Sequence, residues 1–190
     1  MLFFKKSVQL ITMLATLFLS AQAAAPMTNN EFFRLIRNKR PTFEQLSNIV
    51  KNNPRLRIAK NIFGQTAFLQ AASLGKISIA LRLYELGFDV NSTDEQGNTA
   101  VILAAGAGFT CTARDLVYYC QGLDKENRNH NGQTAAAIAL ARGHTATAHA
   151  INRSRYQGYQ KPCIQNEIDI VRRNDAVTAA TEAIINLANQ

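Results

Sequence analysis

The chain has 190 residues, 47% of them apolar, no tryptophan and a formal net charge of +8. That is about one domain's length, enough to bury a core, with an ordinary globular composition. Abundant alanine without tryptophan argues against a β-sandwich and for closely packed helices.

Met1 to Ala25 reads as a secretory signal peptide. Lys5 and Lys6 precede the apolar run from Val8 to Leu19, and Ala21-Gln22-Ala23 and Ala23-Ala24-Ala25 follow as small-residue cleavage sites. The apolar run is shorter than the roughly 20 residues a spanning helix needs; a retained membrane anchor is the alternative. Export to a periplasm or to the outside follows, and it suggests a bacterial source. Cleavage would also remove Lys5 and Lys6 and bring the charge from +8 to +6.

Residues 26–60 predict two helices. The stretch "NNEFFRLIRN" places Phe32, Phe33, Leu35 and Ile36 inward, and "TFEQLSNIVKN" starts at a Thr42 cap and stops before Pro54. Residues 28–60 hold eight Lys and Arg against Glu31 and Glu44. Such a basic third is either a solvated face or a surface for anionic partners.

From residue 61 a unit repeats. Gly64, Gly97 and Gly132 correspond, as do Thr66, Thr99 and Thr134; Ala71, Ala104 and Ala139; and Gly75, Gly108 and Gly143. The first step is 33 residues at every landmark and the second is 35. The first glycine suits a tight turn. The threonine can cap a helix N-terminus, and the last glycine can end that helix. A second helix, "ISIALRLYEL" in the first copy, closes at Gly87 or Gly122. Aligned backward from Gly122, the two extra residues of the second copy fall in Phe109–Thr112. Thr112 to Asp115 then begins the second helix as a capping box, with Cys111 in a lengthened loop.

These residues resemble the ankyrin repeat, a turn plus two antiparallel helices of about 33 residues. The match is best where "GFDVNSTDEQG" leads from one copy to the next. Where that family has Thr-Pro-Leu-His, this chain has Thr66-Ala67-Phe68-Leu69, Thr99-Ala100-Val101-Ile102 and Thr134-Ala135-Ala136-Ala137. The expected fold is an all-α ankyrin-repeat solenoid. It has a degenerate N-terminal capping repeat (26–60), repeats at 61–93, 94–127 and 128–153, and a loop and C-terminal helical cap at 154–190.

The resemblance implies protein binding through turn tips and first-helix faces. The expected contact residues are Gln65, Phe68, Gln70, Glu95, Asn98, Val101, Leu103, His130 and Gln133, although Phe68 and Val101 could instead pack between repeats. Tyr118-Tyr119 and Tyr156/Tyr159 could anchor an interface or cover the core. Cys111, Cys120 and Cys163 permit one disulfide in an exported chain, or three buried thiols; a continuous helix between Cys111 and Cys120 would keep that pair apart.

No metal, cofactor or catalytic constellation emerges. His144 and His149 are five apart, not on one helical face, and neither a phosphate loop nor a nucleophile elbow is present. The expected function is therefore a non-enzymatic, exported protein-binding module, such as an inhibitor, an immunity protein or an effector. An accessory subunit of an envelope enzyme and a binder of anionic surfaces through the basic third are the alternatives. Nucleic acid is a poor partner for an exported chain.

Overall fold

The computed structural model describes residues 27–153. The expected signal peptide, the C-terminal cap, Cys163 and Tyr156/Tyr159 lie outside the described residues. Within them are eight α-helices: α1 Asn29–Asn38, α2 Phe43–Asn52, α3 Ala67–Ser73, α4 Ile77–Glu85, α5 Ala100–Gly106, α6 Thr110–Tyr119, α7 Ala135–Ala141 and α8 Thr145–Arg153. A 3-10 turn, Pro54–Arg57, follows α2. No strand occurs among the described residues.

Local chemistry starts these helices. Thr66, Thr99 and Thr134 sit in extended backbone, and each hydroxyl accepts the N–H of the residue three on. Thr42 and Gln45 form a capping box on α2. Thr28 and Glu31 form another on α1, which the sequence reading passed over. The two bonds from Thr28 hold the Glu31 carboxyl below its ordinary range.

Helices α1, α3, α5 and α7 stack in one layer, with α2, α4, α6 and α8 in a second. A single core runs through both, from Phe32 and Ile36 at one end, through Leu69, Leu83 and Leu116, to Ile151. Phe32 stacks on Phe88, ring centroids 6.4 Å apart, which joins the capping repeat to the first full one.

Basic side chains fasten neighbouring units by donating to backbone carbonyls, most of them ones that a helix end leaves without partners. Lys76 Nζ reaches the carbonyls of Ile36, Arg37 and Lys39 at the end of α1. Partial burial, and then Arg40 nearby, lower its pKa. Arg82 reaches Pro41 O, Arg57 reaches Leu86 O at 2.9 Å, and Arg142 reaches Gly106 O at 2.8 Å.

The extra residues of the second copy lie elsewhere than the sequence suggests. Lys76 N donates to Ala71 O, Phe109 N to Ala104 O and His144 N to Ala139 O. This one closure joins first helix to second in all three copies, so no residue can be inserted there. Helix α6 instead begins at Thr110 and runs to Tyr119, with Cys120 as its cap and Gln121 before Gly122. Thr112 is a helical residue and not a cap; its hydroxyl donates to Gly75 O, 3.2 Å away in the preceding unit. Cys111 accordingly sits exposed in the first turn of α6 rather than in a loop.

Candidate functional site

Three turns project from the stack as fingers, and each is built around one side chain. Asn61 Oδ1 accepts from the N–H groups of Phe63 and Gln65 at 2.9 and 3.0 Å. Asp94 Oδ1 accepts from Gln96 and Asn98 at 3.0 and 2.8 Å. Asn129 Oδ1 accepts from Asn131 and Gln133 at 3.1 and 3.0 Å. The glycine three residues after each of these takes φ of +68 to +76°, a conformation that suits glycine best. Sequence reasoning found the glycines and passed over the Asn or Asp. The signal was present, because residues 61, 94 and 129 keep the same steps as the glycines.

The second and third fingers lock together. His130 N donates to Gln96 O at 3.0 Å. Asn129 Nδ2 donates to Asn98 Oδ1 at 3.1 Å, and Asn98 Nδ2 to Asp94 Oδ2 at 3.1 Å. Between these fingers and α7 lies a groove of about 350 Å³, lined by Gln96, Asn98, Asn129, Asn131, Gln133 and Arg142, with Ile138 and Ala141. Five of these side chains are carboxamides. Asn98 and Asn129 are engaged in the contacts between the fingers, while the carboxamides of Gln96, Asn131 and Gln133 can each donate and accept at once, matching the alternating N–H and C=O groups of a peptide backbone. Arg142 adds one cation, held in place by its bond to Gly106 O.

The expected contact residues divide accordingly. Asn98 and Gln133 line the groove. Glu95 and His130 are exposed on the finger tips, Gln65 is half-buried at the first finger, and Leu103 is half-buried on α5. Phe68, Val101 and Gln70 are 0%, 1% and 3% exposed and belong to the interior, not to a contact face. The reason is that α3 and α5 are covered on both sides by neighbouring first helices. Gln96, Asn129 and Asn131 fall within the turn tips that the sequence marks for contact, at 94–98 and 128–133, whereas Arg142 was not singled out by the sequence. Tyr118 is exposed, whereas Tyr119 packs on the core, the two rings edge to face at 4.9 Å.

Cys120 is a buried free thiol, and burial pushes its pKa from an ordinary 9.0 up to about 12. A thiol held protonated is a poor nucleophile. Among the described residues no group of three His, Cys, Asp or Glu could hold a metal ion, and no helix is long and apolar enough to cross a membrane.

A family model described as ankyrin repeats (many copies) matches residues 68–119, from α3 through α6. No curated protein matches the chain.

Proposed function

We propose that this chain, which belongs to the ankyrin-repeat family, is an exported, non-catalytic protein that grips a partner protein in the groove between its second and third fingers. Ankyrin repeats make it a protein–protein interaction module. The groove's row of carboxamides, on turns fixed by Asp94 and Asn129, carries the finer reading. Rigid polar groups lose little freedom on binding, which favours a specific contact.

The test is affinity capture of the protein from its own compartment, beside a Gln96→Ala/Asn131→Ala/Gln133→Ala variant, whose replaced side chains line the groove without bridging the fingers. The partner should come down with the native chain. The variant should keep its thermal unfolding transition and bind at least about tenfold more weakly. Equal capture by the variant would remove the groove from the function. Recovery of a stable complex from the envelope supports an inhibitor or immunity role, and recovery of the chain from medium or host cells supports an effector. Loss of a partner enzyme's activity on removing this chain would support an accessory subunit.

Export also gives the cysteines a role. Cys120 is buried and free, which leaves exposed Cys111 and Cys163 as the pair to be joined in an oxidising compartment. A non-reducing digest should yield a linked peptide containing both.

A further inference from the structure

The three fingers share one backbone but not one surface. Each is held by the same pair of side-chain bonds from Asn61, Asp94 or Asn129. The second tip carries Glu95-Gln96 and the third His130-Asn131, whereas the first carries Ile62-Phe63. Ile62 is 85% exposed and Phe63 56%. Ile58, 78% exposed, stands where the later copies have Asn91 and Glu126. Polar residues serve at the equivalent positions, so the turn does not require these apolar side chains. Single exposed apolar residues are ordinary; three large ones within a short segment mark a contact surface.

The charge around them has one dominant sign. Segment 54–63 holds Arg55, Arg57 and Lys60 and no acidic residue. Lys51, exposed near the end of α2, precedes this segment, whereas Arg37, Lys39 and Arg40 lie at the far end of α1, beside Lys76. Glu95 of the second finger lies against the turn, beside Gly64. Arg57 and Lys60 donate to Leu86 O and Thr93 O, so they fasten the finger to the stack while keeping their charge.

We infer that the first finger docks on an anionic bilayer surface. Ile62 and Phe63 enter the boundary between headgroups and acyl chains, and Arg55, Arg57 and Lys60 of the same segment engage lipid phosphates. A folded protein would need a pocket shaped for two side chains that project from a turn tip. A fluid interface accepts them without one. This surface is separate from the carboxamide groove.

The chain has no tryptophan, so Ile62→Trp places a single reporter at the tip. The full chain is mixed with vesicles of phosphatidylglycerol and phosphatidylethanolamine, or of phosphatidylcholine alone. With anionic vesicles the reporter should shift to the blue and be quenched by brominated lipid, and added salt should weaken binding. Ile62→Ser/Phe63→Ser should lower partitioning by about tenfold or more. Its unfolding transition should be unchanged, because Asn61 and Gly64 still hold the turn. An unshifted reporter, or partitioning unaffected by the double substitution, overturns the inference and assigns any binding to another segment, such as the apolar N-terminal stretch. So does a double variant that partitions normally but loses a captured protein, which would make the tip a protein contact.

Discussion

Substituting alanine at Gly97 tests whether the fingers depend on one another. Gly97 and Gly132 share nearly the same backbone, with φ of +76 and +72°. Alanine in that region costs about 1–2 kcal/mol, offset by about 0.4–1 kcal/mol because the unfolded chain also loses freedom. Their surroundings differ. A methyl at Gly97 would lie 2.6 Å from His130 Cδ2 and 3.0 Å from His130 N. The imidazole can swing aside, but that N–H is bonded to Gln96 O at 3.0 Å, so the backbone must move or the bond must break. Overpacking adds about 1–3 kcal/mol. At Gly132, among the described residues, nothing lies within 4 Å of the added methyl. Gly97→Ala should therefore cost about 2–4 kcal/mol and Gly132→Ala about 1 kcal/mol. Urea titration followed by far-UV circular dichroism measures both, with slopes compared to confirm that the same surface unfolds. Equal midpoints for the two variants would refute the claim that the His130 backbone rests on Gly97. If the claim holds, Gly97→Ala should also weaken partner capture, since it spreads the two fingers that wall the groove.

Thr99→Ala removes the hydroxyl that accepts Ile102 N–H and should cost about 1 kcal/mol in the same titration, with Thr99→Ser restoring most of it. Lys76→Met deletes the ammonium that caps three carbonyls of α1; hydrogen exchange should speed up in α1 and α2 well before α7, with a loss of about 1.5–3 kcal/mol. Cys120 should resist alkylation in the native protein and react once urea unfolds it. The folded thiol keeps its proton up to about 12 while the unfolded one loses it near 9.0. Stability should thus decline as pH rises through that window, and a Cys120→Ala variant should lose that part of the decline.

The helical pairs and their order were legible because each rests on short-range preference. Glycine alone takes a positive φ cheaply, and a threonine hydroxyl needs only the N–H three residues ahead. Those rules operate within one turn of chain, so Thr66, Thr99, Gly75 and Gly108 announce themselves. The sequence determined in this way the repeating unit, its all-helical character and the places where the first helix of each unit begins and ends. Tertiary packing decided what depends on a residue one repeat away. It sent the extra residues of the second copy to the far end of α6, because the Phe109–Ala104 closure leaves no room at the near end. It put Phe68, Gln70 and Val101 inside, because neighbouring first helices cover both flanks. It turned Lys76, Arg82 and Arg142 from an undifferentiated positive charge into fasteners between units. The groove likewise exists only once Asn98 of one finger meets Asn129 of the next, and no local propensity encodes that meeting.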